Sequence, residues 1–346
     1  MKASIIGGTG YSGVELIRLL QSHSYINEIG LYTSQKERQK TDLVYPHLSS
    51  LVTEYYEVLD IDEVNKKSDV VFLATPNGVC KNIVSSFERE NCVVVDLSGD
   101  LRLKNTEKYE YYYKSEAADQ EILNEACYAL SEICREEIKT SKLISNPGCF
   151  PTAVLLGLAP LLTSPFKDSI GQIFIDAKTG VTGAGKSLSM ATHFSQTDEN
   201  MTMYKVHEHQ HIPEVEQGIQ MISGIDVPFT FTTTLVPLLR GIMATMYIPL
   251  TSDISVKQLF EYYQKFNEKE YFVRVRPYGS FPSVKEVRGS NFCDIGIKFD
   301  ERTNTLVVSS VIDNLVKGAA GQAIQNMNIA LGFDENIALQ SIPLFP

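Results

Sequence analysis

Cys149 stands in Asn146-Pro147-Gly148-Cys149-Phe150-Pro151-Thr152, where a short apolar strand holding Leu143 and Ile144 stops and an apolar helix over 153–162 is expected to begin. A thiol at a helix N-terminus meets backbone N–H groups and the positive end of the helix dipole, which favour the thiolate, the attacking species. Pro147 and Gly148 permit the tight turn this requires. Most cysteines of a reduced chain are packing residues. The Pro-Gly before this one, the Pro after it and the helix behind it single it out as a candidate nucleophile.

A second signal is Gly8-Thr9-Gly10-Tyr11-Ser12-Gly13, which follows an apolar strand over 3–6 and opens a helix over 14–20. In that context the glycines read as a dinucleotide fingerprint: tight turn, close approach of backbone to a pyrophosphate, and close helix-to-strand packing. An NAD site wants an acid at the end of the second strand, here 29–32. That strand leads instead into Thr33-Ser34-Gln35-Lys36-Glu37-Arg38, whose hydroxyls and bases suit a 2′-phosphate, so the expectation is NADP, with Ser34 and Arg38 as contacts.

Three further groups could do chemistry. Gly180-Val181-Thr182-Gly183-Ala184-Gly185-Lys186-Ser187 matches G-x-x-x-x-G-K-[ST], the phosphate loop of ATPases and kinases. Its preceding strand belongs to the half of the chain that reads as antiparallel, and no magnesium-binding Asp strand accompanies it. The loop therefore reads better as a substrate-anion cradle with Lys186. His209-Gln210-His211-Ile212-Pro213-Glu214 puts two imidazoles just before a helix with Pro near its start, where one of them can exchange protons for a thiolate. Zinc would need ligands that the spacing does not supply, and no metal is expected. Arg240, in Leu239-Arg240-Gly241 between two strands, can clamp a carboxylate or phosphate.

Around these residues two patterns alternate along the chain. Up to about residue 150, short Val/Ile/Leu runs (3–6, 29–32, 70–75, 93–97, 143–145) are separated by amphipathic stretches (14–20, 79–88), as a parallel sheet covered on both faces requires. Beyond 162, longer β-branched runs (172–177, 229–238, 243–250, 272–276, 293–299, 306–312) read as a mainly antiparallel sheet, interrupted by helices at 213–221 and 256–269. A last helix over 315–331 carries small residues, Gly318 to Gly321 and Ala323, that allow very close packing. The expected fold is α/β, a Rossmann-type NADP-binding domain plus an α+β catalytic domain.

Composition narrows the class. With 346 residues, 43% hydrophobic and 21% charged, the chain has room for two globular domains. A formal net charge of −11 argues against a nucleic-acid or anionic-membrane partner. The six cysteines form no C-x-x-C pair, which fits reduced thiols. No apolar run approaches the roughly 18 residues of a membrane span, and the chain enters a strand directly after Met1, so a cytoplasmic protein without signal or transit peptide is expected.

A nicotinamide site and a cysteine nucleophile together define acyl transfer to a thiol followed by hydride transfer. At this point the sequence resembles the N-acetyl-γ-glutamyl-phosphate reductases, the relatives of aspartate-semialdehyde dehydrogenases in arginine biosynthesis, over essentially its whole length. The resemblance is carried by Gly7 to Gly13, Asp96-Leu97-Ser98-Gly99-Asp100-Leu101-Arg102-Leu103, Asn146 to Thr152, the segment 177–185, the 209–214 motif, and Asp313-Asn314-Leu315-Val316-Lys317-Gly318-Ala319-Ala320-Gly321-Gln322-Ala323.

The resemblance implies an NADP-binding domain from 1–148 and 316–346, a catalytic and dimerisation domain from 149–315, and a homodimer or homotetramer. It implies that Cys149 attacks a γ-acyl phosphate of a small-molecule substrate, phosphate leaves, NADPH reduces the thioester, and a histidine donates the proton as N-acetylglutamate 5-semialdehyde departs. By position in the motif His209 is the first choice for that acid/base and His211 the second. His211, Arg240 and Lys186 fall to substrate binding; Gly8 to Gly13, Ser34, Arg38, Pro76, Ser98 and Gly183 fall to the cofactor. In the aspartate-semialdehyde relatives a histidine follows the Arg-Gly pair, but Ile242 stands here, which favours a base from 209–211. Gln210 and Lys186 replace residues that are usually Arg in the family, and Asn77 stands where Pro-His-Gly is common. Rival readings are a reductase of carrier-bound aminoadipyl phosphate, an NTPase built on 180–187, and a non-catalytic NADP sensor.

Overall fold

The structure, a computed structural model, describes every residue except Gln35, Lys36 and Asp253. Gln35 and Lys36, two members of the loop expected to meet a 2′-phosphate, therefore lie outside the described residues. The chain forms two compact units, Met1–Pro147 with Ala319–Gln340, and Gly148–Gly318 with Ser341–Pro346. The stretch 316–346, expected wholly in the cofactor-binding part, is thus divided. Val316 to Gly318 and the last six residues belong to the second unit, where the Leu344 N–H donates to the Arg288 carbonyl at 2.8 Å and the Arg288 guanidinium to the Pro346 carbonyl.

The first unit is built on eight strands: β1 (Lys2–Ile6), β2 (Glu28–Thr33), β3 (Gln39–Lys40), β4 (Tyr55–Val58), β5 (Val70–Leu73), β6 (Val93–Asp96), β7 (Cys127–Tyr128) and β8 (Leu143–Ser145). They lie in the order β3-β4-β2-β1-β5-β6-β8-β7, parallel throughout except for the β3–β4 edge. Strands β5 and β6 are buried at every position, which is why they read as unbroken apolar runs. The helix Tyr11–Leu20 buries Leu16, Ile17, Leu19 and Leu20, and its one buried acid, Glu15, is paired with Arg18 at 2.6 Å.

Several elements here differ from expectation. The stretch 79–88 is only a turn of helix, Cys80–Ile83, and a 3-10 turn. Helices at Ile61–Lys67 and Thr106–Tyr113 carry almost no apolar face; Asp60 and Asn105 start them by accepting from the Glu63 and Lys108 N–H groups.

The second unit holds β9 (Ile173–Thr179), β10 (Thr202–Tyr204), β11 (Phe229–Leu235), β12 (Ile242–Pro249), β13 (Val273–Val275), β14 (Cys293–Asp300) and β15 (Thr305–Ile312), ordered β10-β11-β9-β12-β15-β14-β13. Four of the six pairings are antiparallel; β9–β11 and β13–β14 are parallel. The expected strand to residue 238 stops at Leu235, just before Pro237, whose ring nitrogen has no hydrogen for a ladder. On this sheet lies the helix Cys149–Leu162, buried at every residue after Cys149, so it is apolar all round rather than on one face. The helices Ile212–Ser223 and Val256–Lys269 pack against it. The expected last helix starts as a π-turn, Val316–Ala320: the Gly318 N–H reaches back to the Asp313 carbonyl at 3.0 Å, before regular helix at Gly321–Ala330.

Candidate active site

In the first unit the glycine loop after β1 is shaped by what its residues lack. A Cβ on Gly7 would lie 2.4 Å from the Ala74 carbonyl oxygen, one on Gly8 would lie 2.9 Å from the Tyr56 ring, and one on Gly13 would lie 2.5 Å from the Gly8 Cα. The helix behind it starts at Tyr11 with Gly10 as its cap, no capping side chain and no acid in its first turn, leaving Tyr11 and Ser12 at a positive helix end fit for a pyrophosphate. Two tyrosines brace the loop from outside: Tyr45 Oη donates to the Thr9 carbonyl at 2.9 Å and Tyr56 Oη to that of Gly8 at 3.1 Å. Neither was legible in the sequence, because both lie more than thirty residues away along the chain.

The other expected cofactor residues fall in three places. Ser34 is exposed just beyond the end of β2. Arg38 lies over the Tyr55 ring, 3.9 Å from its centroid, and pairs with Glu57 at 2.7 Å. Pro76 is exposed on the loop after β5, while Ser98 is buried after β6, its N–H on Asp96 Oδ1 at 2.8 Å and its Oγ accepting from the Asp100 N–H. Gly183 belongs to the second unit.

In the second unit Cys149 is the first residue of its helix, with Gly148 as cap and no acid in the first turn. Its sulfur therefore sits at the positive end of a fourteen-residue helix, partly exposed. Four other cysteines contrast with it. Burial pushes the thiols of Cys80 and Cys92 up, that of Cys127 up to about 11 and that of Cys134 up to about 12, which keeps them protonated. Gly318 lies directly on the nucleophile: a Cβ there would come within 2.8 Å of the Cys149 Cβ.

Phe150, the next residue, joins the nucleophile to the histidines. Its ring meets His209 edge-on at 5.3 Å, His211 at 6.0 Å and Phe231 at 5.7 Å, and the two imidazoles lie 4.8 Å apart. His209 is 3% exposed, and burial, with Lys205 adding to it, pushes its pKa down to about 3. The His211 backbone N–H donates to His209 Nδ1 at 3.1 Å. An Nδ1 that accepts leaves the proton of the neutral ring on Nε2. His209 is thus a neutral Nε2–H donor rather than the near-neutral titrating base that its residue type predicts. His211 caps the helix Ile212–Ser223 and is itself buried.

Two residues missed in the sequence complete this group. Glu214, fully buried in the third position of that helix, accepts the Gly148 N–H at 2.7 Å and so ties the histidine helix to the cysteine turn. Tyr204, on β10, stacks edge-on against His209 at 5.8 Å; burial and then the nearby Cys149 push its hydroxyl pKa up, keeping it a donor.

The loop 180–185 and the turn 238–241 are zipped together. Gly180, Val181 and Thr182 donate backbone N–H groups to Gly241, Leu238 and Leu239 at 3.0, 2.8 and 3.1 Å. Asn314 pins both, accepting from the Gly241 N–H at 2.7 Å and donating to Thr182 Oγ1 at 3.0 Å. Arg240 projects from this knot, 3.6 Å from the buried Asp313 carboxylate, and Lys186 is exposed at the far end of the loop. A 3-10 turn, Val181–Ala184, occupies the loop itself, and Lys186-Ser187 form a bend rather than the start of a helix. An NTPase phosphate loop needs that helix, so the NTPase reading fails here.

Comparison with known proteins agrees with this division. Residues 2–141 match the family described as semialdehyde dehydrogenase, NAD binding domain, and residues 149–314 the one described as semialdehyde dehydrogenase, dimerisation domain. The N-acetyl-gamma-glutamyl-phosphate reductase of Oceanobacillus iheyensis is 49% identical over 100% of this chain and 99% of its own, and that of Bacillus subtilis is 47% identical over 100% of both. Among solved structures, aspartate semialdehyde dehydrogenase II of Vibrio cholerae complexed with ASA shares the fold with a TM-score of 0.71 at 17% identity, covering 96% of this chain and 98% of that one. The Candida albicans aspartate semialdehyde dehydrogenase with NADP gives a TM-score of 0.65 at 15% identity over 97% and 99%.

Proposed function

The chain belongs to the semialdehyde dehydrogenase family, in its N-acetyl-γ-glutamyl-phosphate reductase branch, and on that premise we propose how its residues divide the chemistry. The reaction is reductive dephosphorylation of N-acetyl-γ-glutamyl phosphate to N-acetylglutamate 5-semialdehyde, a step of arginine biosynthesis. The observation that carries it is Cys149 at the head of its helix, with Phe150 packing both histidines beside it.

Cys149 Sγ attacks the acyl carbon, forming a C–S bond as the C–O bond to phosphate breaks and phosphate leaves with the electron pair. Arg240 and Lys186 supply cationic charge for the phosphate or carboxylate of the substrate, and His211 contacts the substrate. Held by the glycine loop after β1, NADPH would supply the hydride that reduces the thioester. His209 donates a hydrogen bond from Nε2 to the oxygen on which negative charge develops, and collapse of that oxyanion re-forms the C=O bond, breaks the C–S bond and returns Cys149 as thiolate.

Residues of the glycine loop fit a pyrophosphate, and β2 ends at Thr33 and leads into Ser34 without an acid at either, which supports NADP over NAD. The exposed Arg38–Glu57 pair is weak enough for Arg38 to turn to a 2′-phosphate at little cost. Phe174 and Tyr247, paired neighbours on β9 and β12, are each more than two-fifths exposed, as are Leu188, Met190 and Phe194. That apolar surface suits a second copy of the chain in a homodimer or homotetramer. No helix among the described residues is long and apolar enough to cross a membrane, and the reading places the enzyme in the cytoplasm.

The decisive experiment runs the reaction backwards, with N-acetylglutamate 5-semialdehyde, phosphate and NADP, tracking NADPH absorbance. Phosphate-dependent NADPH formation is expected; its absence from wild type overturns the assignment.

A further inference from the structure

Asp100 is fully buried, and its carboxylate gathers donors from the loop that follows the neighbouring strand. The Gly78 N–H reaches both oxygens, at 2.7 and 3.0 Å, the Lys81 N–H reaches Oδ2 at 3.2 Å, and Tyr109 Oη reaches Oδ1 at 2.8 Å. Gly78 has φ +86°, a conformation side chains other than glycine's resist, so the loop turns sharply where the carboxylate holds it. Tyr109 is itself fixed, stacked on Tyr113 at 4.4 Å, and burial followed by the Asp100 contact keeps its hydroxyl protonated. A short buried carboxylate that accepts from three residues of two segments is a brace, and removing its charge leaves backbone donors without an acceptor.

The position of this brace in the sheet gives it a function. The glycine loop, which fits a pyrophosphate, follows β1; the end of β2, on one side of β1, takes the adenosine ribose in a site of this kind. The nicotinamide half must then run the other way, over the ends of β5 and β6, which lie next in the sheet. Asp100 follows β6 and grips the loop that follows β5. That loop in turn abuts the fingerprint, since the Ala74 carbonyl is what excludes a Cβ on Gly7.

We propose that Asp100 is a positioning residue for the nicotinamide half of the cofactor site, setting the loop Pro76 to Lys81 through the Gly78 and Lys81 N–H groups. The proposal rests on the reading of this unit as the NADP(H) site. Its distinctive consequence is selectivity: the brace acts on one half of the dinucleotide and not on the adenosine half.

The test measures binding of NADPH and of 2′-phospho-ADP-ribose, which lacks the nicotinamide ring, by titration calorimetry on the full chain. In Asp100→Asn the amide NH₂ replaces one acceptor and faces donors, so the NADPH Kd should rise about tenfold or more while the Kd of the fragment stays within about twofold. Tyr109→Phe removes one donor without touching the loop backbone, and should shift NADPH binding in the same selective sense by a smaller factor. It also keeps the test alive if Asp100→Asn does not fold. Equal weakening of both ligands, or no weakening of NADPH in either variant, overturns the proposal. Wild type that binds the fragment no better than ADP-ribose and NADPH not at all overturns the cofactor reading itself, and the proposal with it.

Discussion

In the first unit the candidate cofactor loop is defined by missing side chains, Gly7, Gly8 and Gly13, each sitting where a Cβ would meet backbone or ring atoms within 3 Å. In the second unit the candidate chemistry is carried by side chains, Cys149, His209, His211 and Glu214, brought together from a helix start and a loop some sixty residues apart. The first kind of site is local: one strand, one turn and one helix build it, so it is written in consecutive residues. The second kind is assembled by the packing of helices distant in sequence, so its members are visible one by one while their geometry is not. Substitutions should therefore behave differently in the two units, one class acting on affinity and the other on the rate of chemistry.

The largest separation is expected from Cys149→Ala. Removing the nucleophile should lower phosphate-dependent turnover by about 10⁴-fold or more, while NADPH binding is retained. Substantial remaining turnover would rule out a thioester route. Next comes His209→Asn, expected to slow turnover by about two to four orders of magnitude with cofactor affinity unchanged. His211→Asn should cost much less in kcat, because the backbone N–H that holds the His209 tautomer is still present in that variant. Measured kcat losses in the opposite order would exchange the two roles.

Gly13→Ala reverses the pattern. A Cβ there would press to 2.5 Å on the Gly8 Cα, so the loop must open, and the NADPH Kd should rise by about ten- to a hundredfold. Alkylation of Cys149 by iodoacetamide should proceed at the wild-type rate. A slowed alkylation would mean the strain spreads beyond the first unit and would break the comparison.

Legibility in the sequence divides along the same line. The parallel strands β5 and β6 and the apolar helix behind Cys149 are continuous hydrophobic runs and were legible as such, and the second sheet was legible from its longer β-branched runs such as β12 and β15. The helices Ile61–Lys67 and Thr106–Tyr113 were not, since each buries one residue and is begun by an Asp or Asn cap rather than by a stripe. Cys149, His209 and Arg240 could be named because their residue types imply chemistry. Phe150, Tyr204 and Glu214 could not, because a Phe, a Tyr or a Glu in isolation carries no such implication, and only the long-range contacts to the histidines and to Gly148 give them a role. The same holds for the protonation state of His209: its type predicts a group titrating near neutrality, and burial beside Phe150, Tyr204 and Phe231 reverses that.

That reversal gives the finest test. The folded-state pKa of His209 is pushed down to about 3, against 6.5 for the ordinary residue. Above pH 6.5 the ring is neutral both folded and unfolded, and its contribution to stability does not change with pH. Between pH 6.5 and about 3 the unfolded chain holds the additional proton, so stability falls as the solution is acidified, at up to about 1.4 kcal/mol per pH unit. His209→Asn lacks that group, so wild type should lose stability relative to the variant as pH falls below 6.5 and run parallel to it above. Amide exchange in the helix Ile212–Ser223 reads the second unit alone and is the measurement to use. A divergence that begins only well above pH 7 would show an imidazolium held in the folded state, and His209 would then be a charged acid; divergence in the acid window leaves it the neutral Nε2–H donor that its Nδ1 contact defines.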